Sequence, residues 1–328
     1  EVTNESWTTK KLDALEENDA KENLPKIKNI QQKIERLQQN KIRYELLEEK
    51  LKASGEPQIS TTDSDARALL VQGQVVEISF NMQAAVDAKH NLVVATHTIN
   101  KNDRSALSAI AIEAKENLGI ETYTALVDKG YHNGKQIEIC KQANITTIVA
   151  QPEQGKSNEN GTAKDYLAAQ FQYDKDTDTY TCPQGETLKT TGSWHKKTTD
   201  RDSYNFKKYR TPKCKECPVK HLCTSRSGGR EIDRSQYADA VEENNKRYHA
   251  NAQLYRKRQE INEHIFGTIK RQWGYNHTNL TGLEKVNGEH NLIMLVYNIK
   301  RSINILGVPD LIAKLKKWNS PYKAKVWF

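Results

Sequence analysis

The sequence has no long hydrophobic run. Its longest apolar stretch, residues 291–299, is too short and too interrupted to span a bilayer. The first residues lack the apolar core of a signal peptide, so we expect a cytoplasmic protein with no membrane partner. Cysteine is also scarce, with five residues in 328. An odd number without a secretion signal argues against a disulfide framework and favours metal binding or burial.

Acidic residues are fewer than basic ones. Lys and Arg number 50 against 42 Asp and Glu, which gives a net charge of +8. An excess of this size suits a polyanion partner such as nucleic acid. It also serves to keep a protein of this size soluble. Charge alone leaves both interpretations open.

Helical and strand patterns alternate along the chain. Residues 8–53 are rich in Lys, Glu, Gln and Leu, with helical spacing that predicts a hairpin or coiled-coil arm. Such an arm either contacts DNA or is simply a solvated charged helix. The next segments predict strand, strand, helix, strand, helix and strand at residues 75–86, 92–99, 105–118, 122–127, 135–143 and 145–150. This order predicts a mixed α/β sheet.

Four of the five cysteines fall in the polar segment 151–233, which we interpret as an insertion. Cys214-x-x-Cys217, together with Cys182 and Cys223, has the residues for one tetrahedral zinc site. A buried reduced cluster and a redox pair are the alternatives. We favour structural zinc because no apolar core is visible in this segment. Cys140 is expected to be a buried helix residue.

Two long helices are predicted after the insertion, at Arg247–Trp273 and Glu289–Leu306. Gly307 and Pro309 are stop signals for the second one. Its buried face is expected to contain the apolar residues that recur at helical spacing, namely Leu292, Leu295, Val296, Ile299, Ile303 and Leu306.

Asp128 ends the apolar strand Ala125-Leu126-Val127 and is followed by Gly130 in a tight turn. Ligand sites of open α/β sheets lie at the carboxyl ends of strands, so Asp128 is well placed to hold a metal ion. A lone Asp at such a position is also a common turn or helix cap. The residue alone does not separate these two roles.

One face of the first C-terminal helix combines a carboxylate with two cations. Arg256, Glu263 and Lys270 are spaced by seven residues, or two helical turns. A carboxylate binds a cation, and basic groups neutralise phosphate oxygens, so this face suits a site that holds both metal and DNA. The alternative is an exposed face with ion pairs worth tenths of a kcal/mol each.

Taken together, these segments resemble the bacterial insertion-sequence DDE transposases. Asp128-Lys129-Gly130-Tyr131 is similar to the family's D-x-G-Y element. Its Y-R-E-K element is matched by Tyr255, Arg258, Glu263 and Lys270. The interval between Arg258 and Glu263 is one residue longer than in the family. The resemblance covers nearly the whole chain, in the right order.

The resemblance implies a fold as well as a family. We expect a ribonuclease H-like mixed sheet flanked by helices, with an N-terminal helical arm and a β-rich insertion that contains the cysteines. The expected segments are a helical arm, the first part of the catalytic domain, the insertion with its zinc site, and the C-terminal helices that complete the catalytic domain: residues 1–55, 56–152, 153–235 and 236–328.

The resemblance also implies an activity, which is metal-dependent cleavage and transfer of DNA strands at insertion-sequence ends. Asp128 and Glu263 would bind Mg²⁺ or Mn²⁺, because oxygen ligands select hard cations. Double-stranded DNA would be contacted by Tyr255, Arg256, Arg258 and Lys270. A homodimer on DNA and a location at the nucleoid are implied too.

The family's first catalytic Asp lies in a D-G-T or D-G-S element, and none occurs between Glu1 and Ser60. We therefore expect the chain to begin after that strand and to bind DNA without cutting it. Asp63, Asp65, Asp87 and Asp103 are better explained by loops, turns and helix caps. The other two hypotheses are a catalytically dead DNA-binding remnant and a zinc-stabilised interaction protein.

Overall fold

The computed structural model describes residues 20–71, 75–152, 162–198 and 203–318. Within those ranges, none of the helices combines the length and the apolar character that a bilayer crossing requires. The chain divides into two compact units. The first consists of Glu1–Asn81, Thr98–Lys101 and Thr278–Glu289, and the second of Met82–His97, Asn102–His277 and His290–Phe328.

The first unit contains a long helix and a β-hairpin. Helix α1 spans Ala20–Ser54, so the described part of the predicted arm is one continuous helix. Strands β1 (Arg67–Val71) and β2 (Val75–Ser79) pair antiparallel, with Arg67 opposite Ser79. The sequence pattern does not predict β1. It predicts one strand where the structure has β2 and the next strand, because alternating apolar residues run across Phe80 without a break.

The predicted α/β order is confirmed in the elements that follow. They are β3 (Asn81–Val86), β4 (Val93–Ile99), α2 (Leu107–Leu118), β5 (Tyr123–Val127), α3 (Gly134–Gln142) and β6 (Ile145–Val149). Strands β3 and β4 pair with each other. Strands β5 and β6 pair in parallel, as a strand–helix–strand connection requires. Leu107, Ile137 and Val149 belong to the core between these helices and strands.

The segment that we interpret as an insertion is β-rich, as predicted. Its strands are β7 (Gln172–Asp174), β8 (Thr179–Thr181), β9 (Thr187–Lys189), β10 (Trp194–Thr198), β11 (Ser203–Arg210) and β12 (Glu231–Ser235). They form one sheet in the order β10-β11-β9-β8-β7, with β12 also paired to β11. The sheet has its own core of Phe171, Tyr180, Leu188, Tyr209 and Ile232. The expectation that this segment lacks a core is therefore wrong, because tyrosines supply much of the buried surface.

Asp178, in the turn before β8, connects strands β7 and β11 through its carboxylate. It accepts hydrogen bonds from Lys207 Nζ at 2.8 Å, Tyr209 Oη at 2.6 Å and Tyr173 Oη at 2.8 Å. These hydrogen bonds lower the pKa of Asp178 from 3.8 to about 2, and the bond from Lys207 has the largest effect. A carboxylate with a lowered folded-state pKa stabilises the fold above its ordinary pKa and loses that contribution as pH falls.

We therefore expect the insertion sheet to lose stability as pH falls from about 4 to about 2. Chemical unfolding, followed by fluorescence across this range, measures the loss. Asp178→Asn should flatten the pH dependence, since it removes the titrating group. Asp176→Asn, at an exposed position of the same turn, should keep the wild-type slope. Equal slopes for wild type and Asp178→Asn would contradict the prediction.

The C-terminal helices differ from their predicted bounds. Helices α4 (Ala238–Ala250) and α5 (Ala252–Phe266) are separated at Asn251, which has a non-helical φ of −119° and ψ of 37°. A π-helical turn, Gly267–Gln272, follows α5 directly. Helix α6 spans Leu283–Leu306 and therefore begins before the predicted Glu289. Gly307 ends α6, but Pro309 lies in the first turn of another helix, α7 (Val308–Lys317).

The predicted buried face of α6 is wrong. Leu292, Leu295, Val296 and Ile299 are between 48% and 64% exposed. Met294 and Tyr297 are buried instead and pack in a core with Val93, Ile265 and Ile269. The helix carries apolar residues on two opposite sides, and its spacing does not tell which side faces inward.

Candidate active site

Asp128 lies at the end of β5, where α5 meets the sheet. The Tyr255 hydroxyl donates a hydrogen bond to the Val127 carbonyl oxygen at 3.1 Å. Arg258 Nη1 lies 3.7 Å from Asp128 Oδ2. The Asp128 side chain is 57% exposed and also accepts from Lys129 N at 2.7 Å. It therefore caps the following turn and still presents a carboxylate beside an arginine.

A cavity of about 430 Å³ opens beside this carboxylate. Its walls are mostly apolar residues of β3, α2 and β5. Its polar lining residues include Asp87, Asp128, Arg258 and Asn262. Arg258 Nε has no hydrogen-bond partner among the described residues. That nitrogen is buried, so only the terminal nitrogens of the guanidinium could reach a ligand, and such a group suits an anion such as a phosphate.

A second carboxylate, that of Asp103, reaches the same turn. A Cβ atom built on Gly130 would lie 2.9 Å from Asp103 Oδ2, so only glycine fits without displacing this side chain. Burial raises the pKa of Tyr131 well above its usual range, and the nearby carboxylates of Asp103 and Asp128 raise it further. Two acidic groups therefore flank Gly130 and Tyr131.

Hydrogen bonds fix the position of Asp103. Gln83 Nε2 donates to Asp103 Oδ1 at 2.8 Å, and the Tyr131 hydroxyl donates to Gln83 Oε1. Asn102, rather than Asp103, provides the side-chain cap of the adjacent turn. The sequence predicts a helix cap for Asp103 and does not indicate that its carboxylate reaches the turn after Asp128. Gly130 is the one sequence feature that pointed to a close contact at this turn, because a glycine follows a carboxylate there.

Glu263 faces a different direction on α5. At about 100° per residue, it lies roughly 140° around the helix from Arg258. Glu263 is exposed, accepts a hydrogen bond from Gln259 Nε2 at 2.8 Å and does not line the cavity. Arg256 shares this outer face, and Lys270 lies in the π-helical turn near Phe266. The structure thus brings Tyr255 and Arg258 to Asp128, and the convergence of Glu263 on Asp128 stays a prediction.

The remaining acidic candidates have structural partners. Asp63 Oδ2 accepts from Gly282 N, and Asp65 Oδ2 accepts from Leu283 N, each at 2.9 Å. Both carboxylates therefore cap the first turn of α6. Asp87 Oδ2 accepts from His90 N at 2.7 Å within its own turn. Of these three residues, only Asp87 also lines the cavity.

Comparison with known proteins finds one family model that matches part of the chain. Residues 181–303 match the family model described as transposase DDE domain. Over this stretch the chain is similar to transposase DDE domains. No curated protein and no solved structure matches the chain. The matched region includes Glu263, Lys270 and the four cysteines of the insertion, whereas Asp128 lies outside it.

The four cysteines between residues 182 and 223 are neighbours. Burial raises the pKa of the Cys223 thiol; the nearby Arg230 lowers it, and the thiols of Cys214, Cys182 and Cys217 raise it further. Cys182 Sγ accepts a hydrogen bond from Glu186 N at 3.3 Å. Cys140 is fully buried in α3, as predicted.

The geometry does not favour zinc over a buried cysteine cluster. Cys182 and Cys223 pack against the aromatic core of the insertion. A Cβ atom on Gly229, which has a φ of +92°, would overlap Cys214 Cβ, so the chain approaches this cluster closely. Within the described ranges, no group of three or more His, Cys, Asp or Glu side chains is placed to hold a metal ion. The zinc site therefore stays a prediction.

Proposed function

We propose that this protein is a DDE transposase that cuts and joins DNA strands at insertion-sequence ends. The observation that carries the proposal is the Asp128 carboxylate, placed at a strand end beside Arg258 and close to Asp103. The match to a transposase DDE domain supports it and makes DNA the expected partner. A ribonuclease H-like arrangement of the sheet and the four expected segments belong to the same proposal.

Several residues of the chain have properties that phosphoryl transfer requires, namely binding of phosphate and positioning of the site. Arg258, whose Nη1 lies beside the Asp128 carboxylate, would bind a phosphate oxygen of the DNA through its terminal guanidinium donors. Tyr255 holds α5 against the end of β5, so that Arg258 stays beside the carboxylate. Arg256 and Lys270 would contact the backbone further along the DNA, where each cation adds salt-dependent affinity.

Asp128 and Glu263 are the residues that we expect to bind a divalent ion. DDE transposases generally use such an ion, Mg²⁺ or Mn²⁺, and carboxylate oxygens are the ligands that it prefers. When bound, the metal would activate the attacking water or 3′-hydroxyl and stabilise the leaving oxygen. Asp103 is a further carboxylate that reaches the turn after Asp128.

Strand cleavage of insertion-sequence end DNA tests this proposal. The sequence alone predicts binding without cutting, but the Asp103 carboxylate near the turn after Asp128 would replace the missing first Asp. On that basis we expect nicked products with Mg²⁺ or Mn²⁺, none with excess chelator, and a large loss in Glu263→Gln. DNA binding without cutting under all metal conditions would favour the DNA-binding remnant instead. Neither binding nor cutting would leave the interaction protein as the remaining hypothesis. A homodimer on the DNA and a nucleoid location stay predictions.

Zinc in the insertion is tested separately. If the four cysteines form a site, protein purified without chelator should contain about one zinc per chain. Cys214→Ser should lose most of that zinc, whereas Cys140→Ser, at a buried cysteine in another core, should keep it. An equal zinc content in both variants would assign the four thiols to a reduced buried cluster.

A further inference from the structure

Asn262 shares one face of α5 with Arg258. The two residues are four positions apart, which places them about 40° from each other around the helix and roughly 6 Å apart along it. Both line the cavity beside Asp128. Glu263, one residue further, lies roughly 100° from Asn262 around the helix and accepts a hydrogen bond from Gln259. Asn262 is therefore the polar residue one turn after Arg258 on the side of α5 that faces the site.

An Asn on a helix can also have a purely structural role, and two examples occur here. Asn244 exchanges two hydrogen bonds of 2.9 Å with the backbone of Val149, and Asn298 exchanges two of 2.8 Å with the backbone of Val93. Within the described ranges, Asn262 forms no such pair of bonds with a strand. Its amide therefore remains available to a ligand in the cavity, to which it offers two N–H donors and one acceptor.

The charge of Arg258 indicates which ligand the Asn262 amide would bind. Arg258 is a basic residue that lines the cavity, and its Nη1 lies 3.7 Å from Asp128 Oδ2. Side chains four residues apart on a helix have their Cβ atoms about 5–6 Å apart, so the guanidinium and the amide can reach one tetrahedral anion together. Both groups donate N–H hydrogen bonds, which phosphate oxygens accept. A phosphate is therefore favoured over a metal cation at Asn262, because the guanidinium repels a cation.

We propose that Asn262 binds the same DNA phosphate as Arg258, through an N–H of its side-chain amide. The inference rests on the proposed function, since DNA is the ligand, and it adds a substrate-binding residue next to Asp128. Arg258 would donate to one phosphate oxygen and Asn262 Nδ2 to another. Two donors from one helix fix the orientation of the phosphate, whereas a single contact lets it turn, and phosphoryl transfer depends on that orientation.

Anisotropy of labelled insertion-sequence end DNA, titrated with protein in the presence of EDTA, measures this contact without cleavage. Asn262→Ala should weaken binding about 10-fold, the loss typical of one hydrogen bond to a charged group. Asn262→Asp should weaken it more, because its carboxylate also repels the phosphate. Asn262→Gln keeps the amide and should recover part of the affinity. Asn291→Asp makes the same change as Asn262→Asp at an exposed position of α6, and it should bind within about twofold of wild type.

The salt dependence of binding separates a direct contact from an indirect one. Each phosphate that a Lys or Arg neutralises contributes about −0.9 to the slope of log affinity against log salt concentration. A neutral amide releases no counterion, so Asn262→Ala should keep the wild-type slope, whereas Arg258→Ala should make it shallower by about one. A slope that becomes equally shallow in Asn262→Ala would overturn the direct contact, since the residue would then act only by holding Arg258 in place.

Wild-type affinity in Asn262→Ala would overturn this inference and leave the proposed function intact. Weaker binding of Mn²⁺ by Asn262→Ala, measured by calorimetry without DNA, would overturn it too and make Asn262 a metal ligand. A wild type that binds no DNA would overturn the proposed function as well as the inference. The affinities of wild type and Asn262→Ala for DNA therefore distinguish the two failures.

Discussion

Asp128→Asn is expected to lower the rate of strand cleavage by at least ~10²–10³-fold, the loss typical of removing one preorganised group that stabilises charge. The substitution removes the negative charge of the carboxylate whose Oδ2 lies 3.7 Å from Arg258 Nη1. The amide oxygen of Asn would still accept the hydrogen bond from Lys129 N, so the turn should persist. Single-turnover cleavage of end DNA, with metal in excess, measures the effect on chemistry.

Asp174→Asn is the matched control for Asp128→Asn. Asp174 is exposed at the end of β7 and accepts hydrogen bonds from its own turn, so it also combines a carboxylate with a capping role. We expect its cleavage rate to stay within about twofold of wild type. Asp103→Asn completes the comparison, because a large loss there would add Asp103 to the site. If Asp128→Asn retained the wild-type rate, the proposed site would be wrong.

Arg234→Ala is expected to destabilise the protein by about 2 kcal/mol, because it removes a buried side chain with its ion pairs and packing while its half-exposed acidic partners return to water. The Arg234 side chain is 7% exposed and forms ion pairs with Asp239 and Glu242. Its guanidinium also lies 3.6 Å from the centre of the Tyr173 ring. Truncation would therefore remove charge pairing, ring stacking and buried volume together.

Arg226→Ala provides the control for Arg234→Ala. Arg226 is 66% exposed and pairs with Glu231 at 3.3 Å, so its loss should cost less than about 1 kcal/mol. Urea unfolding, followed by fluorescence of Trp194 and the other tryptophans, would report both changes. Similar losses in the two variants would show that Arg234 is not the centre of this network.

The sequence predicted the strand that carries Asp128 because a local pattern defines it. An apolar strand, a carboxylate and a glycine follow one another within six residues of the printed sequence. The approach of Asp103 was not predictable in the same way. It depends on Gln83 and Tyr131, which come from a distant strand and from the turn after β5. Spacing along the chain does not contain such long-range hydrogen bonds.

The predictions about burial on α6 and in the insertion fail for the same physical reason. On α6 the apolar residues with the clearest helical spacing face outward, while the inner side includes the polar His290 at 4% exposure. In the insertion, Tyr180 and Tyr209 are 7% and 0% exposed although their hydroxyl groups are polar. Side chains that bury a ring and hydrogen-bond their polar atom do not stand out in an apolar pattern.

The order of strands in the insertion has a consequence for aggregation. Strands β10 and β7 lie at the two ends of the described order, and an open strand edge is a template for pairing with other chains. Every residue of β10 is exposed, and two of them are Lys196 and Lys197. β7 is three residues long and ends in Asp174. Charge on β10 and the shortness of β7 should hinder edge-to-edge joining at these two strands, so replacing Lys196 and Lys197 by valine should promote fibrillar self-association.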